Sequence, residues 1–162
     1  MGDAGSCSIV GPGRYVLRSR ADERCLGQGA PTSVFGSPAF TLDLSTDCQQ
    51  AERFWQLRAT PIPNVFTIQN LSSSVTVPGS PAFVLDVEMA ATTDGTRVIT
   101  FGETGFDNQR FEVRARDTFV SELRPQHHPQ SCMSTTGSSA QITTCVPSDG
   151  TQGWLLQRSD CL

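Results

Sequence analysis

Residues 52–57 read ERFWQL, residues 108–113 NQRFEV and residues 151–157 TQGWLLQ. Each is a polar pair or triplet, then a large aromatic, then an apolar residue one or two places on. Each follows a turn-rich loop. Between them lie three runs that open new segments: RYVL at 14–17, VFTI at 65–68 and TFVSEL at 118–123. Opening and closing runs alternate three times along the chain. The alternation predicts that Tyr15 faces Trp55, Phe66 faces Phe111 and Phe119 faces Trp154. The spans are roughly 35–45 residues, the size of one supersecondary unit used three times.

A second repetition competes with this one. GSPAFTLDL (36–44) and GSPAFVLDV (79–87) agree at seven of nine positions. The first copy lies just before the closing aromatic of its unit. The second has DGTRVITFGE still to come before Phe111. The two copies therefore belong to different strands of their units, and Asp43 and Asp86 are not equivalent.

The remaining apolar runs are short and often alternate with polar residues. Ten strand candidates can be counted, separated by Gly, Pro, Ser and Thr, and helical periodicity is nearly absent. An all-β fold follows. The whole chain, 1–162, is expected to form one domain, with units at about 13–60, 61–116 and 117–158.

Charge excludes one class of partner. The chain carries 12 Lys+Arg (all arginine) against 16 Asp+Glu, a net charge of −4. No nucleic-acid partner is expected, because that would want a basic face. No run reaches the roughly 18 apolar residues of a membrane span. The opening residues MGDAGSCSIV show no leader pattern, and Met1 is expected to precede a mature secreted chain. Six cysteines without a C-x-x-C read as three disulfides in an oxidising compartment, with 15 pairings open.

Three units, each closing on a Q-x-W-like triplet, with Cys25-Leu26 near the start of the first, resemble the ricin-type β-trefoil family. The resemblance runs from about Tyr15 to Leu156. In that family a unit reads C-L-D-V, then G-x-x-V-Q-L-W-x-C, then N-Q-x-W. Unit one offers Cys25-Leu26-Gly27, Cys48 and Arg53-Phe54-Trp55. Unit two offers Val84-Leu85-Asp86-Val87, DGTRVITFG and Asn108-Gln109-Arg110-Phe111. Unit three offers Cys132-Met133-Ser134, Ala140 to Cys145, and Gln152-Gly153-Trp154.

The resemblance implies intra-unit bridges Cys25–Cys48 and Cys132–Cys145. Unit two has lost its bridge, with Val84 and Gly102 in the corresponding places. Cys7 and Cys161 remain, and a trefoil brings its chain ends together, so they are expected to pair. Trp55, Phe111 and Trp154 are expected to be core plugs rather than ligand stackers.

The resemblance also implies carbohydrate binding. A carboxylate accepts two hydroxyl hydrogens, an aromatic covers the apolar face of a sugar ring, and an amide supplies a donor and an acceptor. Unit two offers all three: Asp86, Phe101 and Asn108, with Gln109 in the place that orients the carboxylate. Ile99 stands where the family has Gln, which removes a polar contact. Unit one has Gly27 for the Asp, Glu52-Arg53 for Asn-Gln, and no aromatic near Thr46. Unit three has Ser134 for the Asp and Thr143 for the aromatic. One glycan site in unit two is expected, with no catalytic residues, metal or cofactor. The alternative is a trefoil that binds protein, such as a protease inhibitor, through the loop SSSVTVPGSP (72–81). His127 and His128, in RPQHHPQS, read as a solvated loop rather than a metal site. Asn70-Leu71-Ser72 matches a glycosylation sequon.

Overall fold

A computed structural model describes residues 10–72 and 81–159. Each closing aromatic lies on the strand that follows a hairpin, and the strands group in fours. The first four are β1 (Gly13–Ser19), β2 (Cys25–Val34), β3 (Ser37–Ser45) and β4 (Phe54–Ala59). Next come β5 (Val65–Asn70), β6 (Phe83–Val87), β7 (Val98–Gly102) and β8 (Phe111–Ala115). The last four are β9 (Ser121–Pro125), β10 (Ser131–Thr136), β11 (Ser139–Thr144) and β12 (Trp154–Arg158).

Outer strands of each group form a closed antiparallel ring. β1 pairs with β4 through Tyr15 opposite Trp55, and β4 with β5. β5 pairs with β8 through Phe66 opposite Phe111, and β8 with β9. β12 closes the ring onto β9 and β1. The inner strands make three hairpins: β2–β3, β6–β7 and β10–β11. A barrel with three hairpins, one per unit, is a β-trefoil.

Closure leaves the barrel without edges and gathers the aromatics in one core. Trp55, Phe111 and Trp154 are fully buried, in one cluster with Tyr15, Leu17, Leu57, Ile68 and Leu123. Trp55 Nε1 donates to the Leu26 carbonyl and Trp154 Nε1 to the Met133 carbonyl, each at 2.9 Å. These are the same bond in units one and three. Phe111 of unit two has no N–H with which to make it.

The repeated nonapeptide is out of register with the threefold, as its placement predicts. The first copy runs along β3, the third strand of unit one. The described part of the second runs into β6, the second strand of unit two. One pairing departs from expectation: Trp154 sits opposite Ser121, not Phe119. The Asp117 carboxylate accepts from the backbone N–H of Phe119 (2.9 Å) and Val120 (3.0 Å). That turn delays the strand and leaves Phe119 74% exposed.

Among the described residues, two disulfides clasp the bases of the hairpins in units one and three. Cys25–Cys48 and Cys132–Cys145 have Cα separations of 5.5 and 5.0 Å. Cys7 and Cys161 lie outside the described residues, as do 73–80 of the loop offered for protein binding. Peptide mapping without reduction is expected to recover 25–48 and 132–145 as linked pairs and to place Cys7 with Cys161. A bridge between Cys25 and Cys132 would contradict the register of the units.

Asn70 of the sequon is buried, at 0% exposure, and its Nδ2 donates to the Glu52 carbonyl at 2.9 Å. It is not available to a glycosyltransferase in the folded protein. The two histidines are half-buried rather than solvated. His127 Nε2 bonds the Ala91 carbonyl at 3.0 Å and His128 Nδ1 the Ser131 hydroxyl at 2.9 Å.

Candidate functional site

Alternation along a strand sends successive side chains to opposite faces, and in β6 this divides structure from chemistry. Leu85 and Val87 enter the core, while Asp86 points the other way. On β7, Ile99 faces Asp86 and Phe101 faces Val84, so both share its side of the hairpin. Asn108 and Gln109 arrive on a 3₁₀ turn (Asp107–Gln109) just before β8.

The four expected residues converge. Asn108 Nδ2 donates to Asp86 Oδ1 at 3.2 Å and to the Val87 carbonyl at 3.1 Å. Gln109 Nε2 donates to Asp86 Oδ2 at 2.8 Å and to the Gly102 carbonyl at 3.0 Å. Gln109 Oε1 accepts from Thr104 N at 2.7 Å and from its hydroxyl at 3.0 Å. Gln109 thus ties the carboxylate to the end of β7 and, itself buried, lies behind the site. Each carboxylate oxygen accepts one amide hydrogen and keeps acceptor capacity for another donor.

Asp86 is only 5% exposed. Burial pushes its carboxyl up from 3.8 to about 6; the bonds from Gln109 and Asn108 oppose that rise, and the nearby Glu88 charge adds to it.

Asp86, Phe101 and Asn108 line a cavity of about 250 Å³ with Ile99. Its rim holds residues that motif reasoning missed. Phe106, 70% exposed, stands near Asn108 in the chain, while Met89 and Ala90 form a second lip. Both lip residues have positive φ, 57° and 53°. Such backbone persists only where its surroundings fix it. Here the Val87 carbonyl is held by Asn108, and the Ala91 carbonyl by His127. The remaining walls are Thr104 and Val34, the latter from the hairpin of unit one. That hairpin is the longest, with strands of 10 and 9 residues, and β3 pairs with β7 through Ala39 opposite Phe101. A Phe immediately before Asp-Asn-Gln was the available signal for Phe106. Nothing in the sequence marked Val34.

The equivalent places in units one and three are closed. In unit one Gly27 sits opposite Asp43, as Asp86 sits opposite Ile99. The carboxylate has crossed the hairpin. Arg53, in the place of Gln109, is buried and ion-pairs with Asp43. It also donates to the Cys25 carbonyl at 3.3 Å and to Gln50 at 3.0 Å. A Cβ on Gly27 would collide with that guanidinium. Gly27→Ala is therefore expected to destabilise the protein by about 1–3 kcal/mol, by displacing a buried, bonded charge. Denaturant melts measure it. Asp43 thus serves Arg53 and not an open cavity.

In unit three, hydroxyls satisfy one another. Thr143 Oγ1 donates to Ser134 Oγ at 3.1 Å, and Gln152 Nε2 to Thr143 Oγ1 at 2.8 Å. Gln152 keeps the strand-tying role of Gln109, with the Thr144 carbonyl at 2.7 Å and Val146 N at 2.7 Å. No carboxylate faces it across the hairpin.

Neither a protein-family model nor a curated protein sequence matches the chain. Solved structures do. The designed threefold-symmetric protein ThreeFoil is similar with a TM-score of 0.72 at 18% identity, over 89% of this chain and 97% of that one. Polyporus squamosus lectin, bound to the epitope Neu5Aca2-6Galb1-4GlcNAc, is similar with a TM-score of 0.73 at 19% identity. That match covers 93% of this chain and 50% of the lectin chain, so this chain spans about half its length. SeviL, bound to asialo-GM1 saccharide, gives 0.65 at 13% identity, over 92% and 99%. At these identities the likeness is one of fold.

Proposed function

We propose that this protein is a secreted, lectin-like module that binds a carbohydrate through one site, in unit two. The observation that carries the reading is the buried Asp86 carboxylate, braced by two amides at the floor of an aromatic-walled cavity. A buried charge of this kind opposes folding, and its remaining acceptor capacity suits a ligand that brings its own hydroxyl donors. Phe101 and Phe106 offer the apolar faces that sugar C–H groups cover. The lectins among the similar structures support the same class of ligand.

The reading is of binding without catalysis. Glycoside hydrolysis commonly uses two carboxyl groups about 5–9.5 Å apart, one of them free to act as acid; Asp86 is the one carboxylate among the described residues lining this cavity, and the nearby Glu103 is ion-paired with Arg58. Two disulfides fit an oxidising, extracellular setting.

A glycan array probed with wild type and Asp86→Asn tests the proposal: spots that bind wild type should be lost with the variant. Calorimetry on a bound glycan should then give about one site per chain, with no avidity from units one and three. A stoichiometry near three would show that the guanidinium and hydroxyl networks of those units also admit sugars.

A further inference from the structure

Phe101 has two sides. One closes the Asp86 cavity. The other lines a second cavity of about 350 Å³ whose remaining walls are Ser37, Pro38, Pro81, Phe83, Gly102 and Glu103. Both spaces are near the lower end of ligand-pocket size, about 300 Å³. Both are also roofed by the same hairpin of unit one, which gives Val34 to the first and Ser37 and Pro38 to the second.

The second cavity has the chemistry of a sugar subsite. Pro38, Pro81 and Phe83 supply apolar surface. Phe83 is fixed in place by an edge-to-face contact with Phe40, ring centres 5.2 Å apart. Gly102 has no side chain to fill the space, and Pro81 lies over it. The polar element is Glu103. Arg58 pairs with its Oε1 and is itself steadied by Gln69 at 3.2 Å. Oε2 has no partner among the described residues. A carboxylate held by one oxygen and open at the other can accept a hydroxyl hydrogen.

We infer that the site takes a glycan of at least two linked sugars, the first at Asp86 and the second against Pro81, Phe83 and Glu103, with Phe101 between them. The inference rests on the first-sugar assignment proposed above. It adds that chain length, and not only the terminal sugar, sets affinity. It also accounts for the length of the unit-one hairpin, which neither other hairpin matches.

The test uses the whole protein and a graded array: glucose, galactose, mannose and their N-acetylamino forms, each as the single sugar and as β1-3- and β1-4-linked disaccharides. Calorimetry follows on the best disaccharide and its parent monosaccharide. The disaccharide is expected to bind at least tenfold more tightly. Glu103→Ala and Pro81→Ala should each erase most of that gain while leaving monosaccharide affinity within twofold. Asp86→Asn should lose both ligands. Equal affinity for the two ligands in wild type overturns the second subsite and leaves the first standing, as does a gain that survives both subsite variants. Retention of both affinities by Asp86→Asn overturns the first subsite and the second with it. So does a wild-type protein that binds no sugar on the array.

Discussion

Asp86→Asn should abolish glycan binding and leave a folded protein. The change keeps the shape but exchanges an acceptor oxygen for a donor amide. In this site that is doubly unfavourable, because Asn108 and Gln109 already aim N–H groups at both oxygens. One bracing bond must break, and a sugar hydroxyl loses its charged acceptor. Loss of a charge-assisted hydrogen bond costs roughly 1.5–3 kcal/mol, about a tenfold to hundredfold fall in affinity.

The same carboxylate gives the prediction a pH signature. Asp86 titrates near pH 6 in the folded protein against an ordinary 3.8. Binding that uses the carboxylate should be full above about pH 7 and fade as pH falls through 6. Stability should run the other way. A raised folded pKa means that the native state holds the extra proton, so this group favours folding most below about pH 3.8. The advantage is lost as pH rises through 6, and is worth about 3 kcal/mol. Calorimetry and denaturant melts between pH 4 and 8 should show opposed slopes, and both slopes should flatten in Asp86→Asn. Parallel slopes would remove Asp86 as their source.

Trp154→Ala should, like Trp55→Ala, be among the most damaging core substitutions. The indole is fully buried and bonded to the Met133 carbonyl. Its removal costs about 3–5 kcal/mol through lost burial and the cavity left behind. Against a typical stability of about 5–15 kcal/mol, the melting temperature should fall by roughly 6–20 °C. Trp154→Phe should cost much less, because unit two already runs on Phe111 at the same place. Equal effects would mean that the Nε1 bond, rather than the ring volume, holds the plug.

The barrel was legible because its strands carry the aromatics. Ten strands were countable from short apolar runs; β2 and β10 were not. CLGQGAPTSV and SCMSTT bury few apolar side chains and are rich in Gly, Pro, Ser and Thr. Their pairing is set by the facing strand and a disulfide, neither of which leaves a period in the local sequence. Phe119 misled for a related reason: strand propensity is local, while Asp117 decides where the strand begins. At the candidate site, Asp86, Phe101, Asn108 and Gln109 could be found by motif because they come from one unit. Val34 could not, since it reaches the cavity from a neighbouring unit through the pairing of β3 with β7.

The Arg53–Asp43 plug fixes the order in which unit one could change. Placing an aspartate at residue 27 first would drive it into the guanidinium. Replacing Arg53 with glutamine first would leave Asp43 without its cation and the Cys25 carbonyl without this donor. Each single step is uphill, and the two together set the residue types of Asp86 and Gln109 in unit one while leaving Asp43 opposite the new carboxylate. The three units therefore share a fold, while the Arg53–Asp43 pair makes unit one resistant to opening by any single substitution.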